Sequence, residues 1–192
     1  MVQRNVNRIR STVLDILYYA KERELQWEQV DVLSFVKDIA LTFGPKIQSQ
    51  NINFICDFQE TVGMFEVDPG IIRSALINFL ENALEACLED ASKPAHQISF
   101  GVGHDSTHII FSVVDDGIGM DEKTKKNMFT LFFSSKGDKG TGLGLFISNK
   151  IIRQHGGTIE VESIPSAGTR MGIKIPKRIP DSLKKPVGEA AL

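Results

Sequence analysis

Alternating helical and strand-like segments predict an α+β chain folded as a two-layer α/β sandwich. Two observations carry this. Beyond residue 52 the stretches "INFICDF", "QISFGV", "HIIFSVVD", "TIEVES" and "MGIKIP" are rich in β-branched and aromatic residues, as strands are. Two segments between them instead place apolar residues at helical spacing.

Taken in order, residues 2–24 carry Val6, Ile9, Val13, Ile16, Leu17 and Ala20 in steps of three and four, with polar residues elsewhere. One narrow stripe cannot bury itself, so this helix is expected to pack against partner helices. Trp27 and Val30 mark a short connector. A second helix is expected over 32–47, ending near Gly44-Pro45 or shortly after. The third opens with Asp68, an N-cap acceptor, followed by Pro69 at the first helical position. Its stripe of Ile72, Ala75, Leu76, Phe79, Leu80, Ala83, Leu84 and Cys87 predicts a helix to about residue 90. The last is expected from about Thr141 to His155-Gly156-Gly157, where glycine terminates it and His155 complements the helix dipole. Proline, glycine and charge in 177–192 predict a frayed tail.

With 192 residues, 42% hydrophobic, the chain suffices for one domain and an appendage. Its net charge of −2 gives no electrostatic footprint for nucleic acid. Cys56 and Cys87 lack CxxC or CxxH spacing and read as buried thiols, rather than as a disulfide framework or a zinc site. No apolar run approaches the length of a membrane span, and the N-terminus has no signal-peptide core.

Three stretches carry candidate chemistry. Asn78, Glu81, Asn82 and Glu85 share one helix face. That face is either a solvated ridge or a row of oxygens suited to Mg²⁺. In "VVDDGIGM" a strand ends at Asp115, with Gly117 and Gly119 following. This is either an ordinary turn or a carboxylate that accepts a hydrogen bond from an exocyclic amine such as adenine's. In "DKGTGLGL", Gly140, Gly142 and Gly144 leave amides uncovered at a helix start, a phosphate cradle without a P-loop, or else a hinge. Lys136 in "FFSSK" supplies a cation. The span 119–140 then reads as a lid anchored by Phe129, Phe132 and Phe133.

The ordered set, with "NFLENALEA", "DDGIGM", "KGTGLGLFISNKIIRQHGG" and the "AGTR" before the final strand, resembles the ATP-binding catalytic domain of sensor histidine kinases. That domain belongs to the GHKL superfamily, shared with DNA gyrase, the ninety-kilodalton heat-shock chaperones and MutL. The resemblance covers roughly residues 30–176, and "LFFSSK" looks like a short-lid version. It implies a mixed sheet covered by helices on one face.

Position by position, the resemblance implies Mg²⁺ coordination by Asn82, with Asn78 near the phosphates and metal. It implies adenine recognition by Asp115, and by Thr169 often through water. Gly117, Gly119, Gly140, Thr141, Gly142, Leu143 and Gly144 match the nucleotide-shaping segments, and Lys136 the γ-phosphate contact. Related hydrolases carry glutamate where Asn78 stands, and a carboxamide cannot take up a proton from water. Glu81 is the candidate to polarise the imidazole of a phospho-accepting histidine.

None of His96, His104, His108 and His155 stands in the family's acceptor motif. Residues 1–29 therefore read as the second helix of a dimerisation hairpin with its connector, 30–176 as the ATP-binding domain, and 177–192 as a flexible tail. The expected function is transfer of the ATP γ-phosphate to a histidine outside this chain and onward to a response-regulator aspartate. The expected cofactors are ATP and Mg²⁺. The parent is expected to dimerise through the hairpin and to present this part in the cytoplasm, membrane anchor or not. The isolated chain is not expected to phosphorylate itself. A GHKL-type ATPase, an anti-sigma-factor serine kinase and a nucleotide-binding docking module are the competing functions.

Overall fold

The structure is a computed structural model that describes residues 24–134, 141–180 and 183. The helix expected over 2–24 lies outside the described residues, as do Lys136, Gly140 and most of the tail.

Among the described residues, seven strands and four helices occur in the order β1 (Glu28–Asp31), α1 (Val32–Gln48), β2 (Ile52–Phe58), β3 (Met64–Val67), α2 (Pro69–Glu89), β4 (His96–His104), β5 (His108–Asp115), α3 (Glu122–Asn127), α4 (Gly144–Gln154), β6 (Thr158–Ile164) and β7 (Gly168–Pro176). Five strands form one mixed sheet in the order β2-β4-β5-β7-β6. The pair β2/β4 is parallel and the others are antiparallel. The α+β sandwich is thus as expected.

Alternation in β5 shows how the layers meet. Ile109, Phe111 and Val113 are buried, and Ile110, Ser112 and Val114 face the other way. Helices α2 and α4 pack together, α2 over β4 and β5, α4 against β6. Ile72, Leu76 and Leu80 of α2 are fully buried. Burial of such side chains contributes about 1.5–3 kcal/mol each, so the α2 stripe fixes which face of that helix turns outward.

Four expectations need correction. The connector around Trp27 contains strand β1, which pairs antiparallel with β3, so Glu28 and Gln29 belong to the folded unit. Four-residue strands are too short for alternation to reveal them. Second, residues 177–180 are held: Lys177 N donates to Thr107 O, and Ile179 N to Glu66 Oε2. Third, α4 begins at Gly144 rather than near Thr141. Fourth, Cys56 is exposed on edge strand β2, although Cys87 is buried as expected.

His155 also differs from the sequence reading. It is 1% exposed; its Nδ1 donates to Ile151 O at 2.8 Å and its Nε2 accepts from Asp68 N at 3.1 Å. An imidazole accepting an amide proton is neutral, and burial lowers its pKa. It therefore works as a bolt between the ends of α2 and α4, not as a cation on a dipole. Trp27 packs edge-on against its ring at 5.0 Å, and Gln26 N donates to Asp68 Oδ2 at 3.0 Å. The chain entering the domain is thereby fastened to both helices.

Candidate nucleotide-binding site

A cleft of about 290 Å³ opens between α2, the start of α4 and the ends of β5 and β7. Asn78, Glu81, Asn82, Asp115, Gly119, Thr141, Gly142, Gly144 and Thr169 all line it. Residues up to 91 positions apart in the chain, expected separately to carry chemistry, are brought to one place. Gly117 and Leu143 do not line it. Leu143 is buried in the core, and the Gly117 Cα packs so closely on α2 that a Cβ would stand 2.5 Å from the Ala86 carbonyl carbon.

Asp115 is the deepest charged group, 7% exposed at the end of β5. Burial pushes its carboxyl up to about 6, although the amides of Gly117 and Thr169 donate to it and pull the other way. The Gly117 N–H lies 3.0 Å from Oδ1. A carboxylate kept desolvated gains more from a new hydrogen-bond donor than a hydrated one would.

Across the cleft, the two asparagines are oriented by their neighbours. Asn78 Nδ2 donates to Ser148 Oγ at 2.8 Å, and Ser148 is buried on α4. Asn82 Nδ2 donates to Asn78 O at 2.7 Å. With the nitrogen engaged backward along α2, the Asn82 carboxamide oxygen is the end left for a ligand. Glu81 is instead ion-paired: Lys46 Nζ on α1 lies 2.7 Å from its Oε1. The pair is half-exposed, so it contributes little to stability but restrains the glutamate.

At the rim, α4 starts without a side-chain cap. Its positive dipole end and first amides meet the cleft at Gly144, which is suited to an anion. Gly142 has φ +65°, and a Cβ there would come 2.4 Å from the Phe132 carbonyl carbon. The glycine is therefore required as much by packing as by any ligand.

Sequence reasoning missed several contributors. Ser148 and Ser163 position site residues; Ser163 Oγ accepts from Met120 N at 2.8 Å and lies 2.9 Å from Thr169 Oγ1. Val113 and Met171, register partners on β5 and β7, form an apolar wall. Their burial pattern was visible in the strands, but not which wall they would form. Helix α3 lies in the expected lid, capped by Asp121, whose Oδ1 accepts from Thr124 N at 2.7 Å. Among the expected anchors, Phe133 lines the cleft and Phe129 packs on the core, but Phe132 is 70% exposed.

The family described as histidine kinase-, DNA gyrase B-, and HSP90-like ATPase matches residues 67–179, which hold this whole cleft. The chain belongs to that family. Sporulation kinase E of Bacillus subtilis (strain 168) is 30% identical over 93% of this chain and 23% of its own length. The catalytic domain of histidine kinase ThkA superposes with a TM-score of 0.69 at 30% identity, covering 80% of this chain and 99% of that one. ThkA in complex with response regulator protein TrrA aligns at 29% identity and a TM-score of 0.75, over 92% of this chain and 49% of that one. The chain spans between 13% and 39% of the length of such curated relatives. Among the described residues no helix is long and apolar enough to cross a membrane.

The family's nucleotide fits the residues present. The cleft supplies a desolvated acceptor at its floor, a carboxamide oxygen on α2 and an uncapped helix start at its rim.

Proposed function

We propose that this chain is the ATP-binding kinase domain of a two-component sensor histidine kinase. It delivers the ATP γ-phosphate to a histidine beyond residues 1–192, from which a response-regulator aspartate receives it. The domain comprises residues from about 28 to 180; the segment 2–24, read from its sequence as a dimerisation helix, lies outside the described residues.

Asp115 accepts the adenine amine, and Thr169 with Ser163 supports the same edge. The amides at the start of α4, joined by Lys136, hold the phosphates. Asn82, with Asn78 beside it, would hold Mg²⁺, which offsets phosphate charge when bound. Glu81 polarises the incoming imidazole once Lys46 is displaced or shared.

The observation that carries this reading is Asn78. It is a carboxamide donating to Ser148 in the cleft, and by the resemblance to the family's hydrolases it stands where they carry a water-activating glutamate. A site of this kind holds ATP without spending it on water. The likeness to ThkA, solved in complex with a response regulator, supports a response regulator as the partner. The test is calorimetry with Mg·ADP, steady-state ATPase, and transfer to an added histidine-bearing hairpin. Binding with negligible hydrolysis and labelled hairpin histidine are expected; robust hydrolysis without transfer would favour an ATPase.

A further inference from the structure

Behind the adenine-side turn, three ligand-type side chains from three elements converge. Cys87 sits in the last turn of α2, His96 opens β4, and Asp116 follows β5. One ligand atom from each lies within 4.8 Å of the other two. Cys87 Sγ is 3.9 Å and His96 Nδ1 3.0 Å from Asp116 Oδ1. The thiol is 1% and the imidazole 8% exposed.

The tautomer makes this cluster informative. His96 Nε2 lies 3.1 Å from the Asp90 carbonyl oxygen, which only accepts, so Nε2 carries a proton. A neutral ring would then aim the Nδ1 lone pair at a carboxylate oxygen. That contact requires a cation between them, either a proton or a metal ion. An Nε2–H held by a backbone carbonyl is also how metal-binding histidines are commonly oriented. Asp90 adds negative charge nearby, its Oδ2 buried without a hydrogen-bond partner.

We propose that Cys87, His96 and Asp116 form a binding site for a borderline-soft divalent cation of the zinc class. Thiolate, imidazole and carboxylate are a zinc-type donor set, with a fourth position for water, and a poor one for Mg²⁺. Binding releases the Cys87 thiol proton, and the Nδ1 proton of a charged His96, to solvent. Burial, with the charges of Asp115 and Asp116, pushes the Cys87 thiol up to about 12. Burial opposes the His96 charge, yet the Asp90 carbonyl and Asp116 outweigh it and raise its pKa. Two other groups compete with the metal for Asp116. Gln97 N donates to Oδ1 at 3.0 Å, and Lys93 Nζ contacts the backbone O and lies 3.9 Å from Oδ2. The site is independent of the nucleotide reading.

The test is titration of the chelator-treated 192-residue chain with Co²⁺ and Zn²⁺, in a Cys56→Ser background so that the exposed thiol cannot contribute. One equivalent of Co²⁺ should give a thiolate-to-cobalt charge-transfer band that Zn²⁺ abolishes and excess Mg²⁺ does not. Cys87→Ser should lose the band. His96→Gln and the more exposed Asp116→Asn should weaken binding by roughly tenfold or more, since even outer-shell partners cost about that. Far-ultraviolet circular dichroism checks that each variant is folded. No band in the parent, a band that survives Cys87→Ser, or equal affinity in folded Asp116→Asn overturns the proposal.

Discussion

The buried hydroxyl of Ser148 on α4 accepts a 2.8 Å hydrogen bond from the Asn78 carboxamide on α2. This bond joins the helix bearing the asparagine ridge to the helix whose start forms the cleft rim, while Asn82 Nδ2, 3.3 Å from Asn78 Oδ1, marks the other end of that amide as oxygen. Ser148→Ala should leave the fold intact and weaken Mg·nucleotide binding by up to about tenfold, the equivalent of one hydrogen bond. Calorimetry with Mg·ADP reads it; an unchanged Kd would mean Asn78 needs no such orientation.

Asp115 should couple nucleotide binding to pH. Its carboxyl stands at about 6 when folded against 3.8 ordinarily. Between these values the folded state holds the proton more tightly than the unfolded state, so stability falls as pH rises through this window and is level above it. Asp115→Asn should therefore stabilise the ligand-free protein at pH 7, by up to about 3 kcal/mol at ~1.4 kcal/mol per pH unit, raising Tm. The same variant should lose most ADP affinity. Wild-type affinity should fall as pH drops through about 6, because the protonated carboxyl accepts poorly from an amine.

Glu81 is held 2.7 Å from Lys46 Nζ. Glu81→Gln should slow transfer to a histidine-bearing hairpin while leaving ADP affinity near the parent value. Hairpin labelling and calorimetry on the same preparation separate these effects. Equal transfer rates would remove Glu81 from the chemistry.

Gly142 combines φ +65° with no room for a Cβ beside Phe132. A left-handed non-glycine residue costs about 1–2 kcal/mol before any clash. Gly142→Ala should lower Tm and weaken nucleotide binding together, read by thermal melts with and without ADP. A variant as stable as the parent would show that the Phe132 turn yields easily.

Long helices and the sheet strands could be read from the chain because each repeats a local rule many times. Twenty-one residues of α2 display one apolar stripe, and an Asp68-Pro69 start marks its beginning. Helix α3 and strands β1 and β3 escaped, having only four to six residues in which to show a period. Of the candidate site, the individual motifs were visible in order. The supporting hydroxyls of Ser148 and Ser163 were not, since a serine carries no mark of what it will face.

The sequence by itself determined the order of the long helices and main-sheet strands, the faces those helices bury and the residue types offered for chemistry, because spacing and composition act locally. Tertiary structure alone decided who meets whom. It set Asn78 against Ser148, bolted His155 to Asp68, and gathered Cys87, His96 and Asp116 from three elements although no CxxC spacing announced them. It also decided that Asp115 is desolvated enough to hold its proton near pH 6. Burial depends on every layer packed above a group, and no short stretch of chain contains that information.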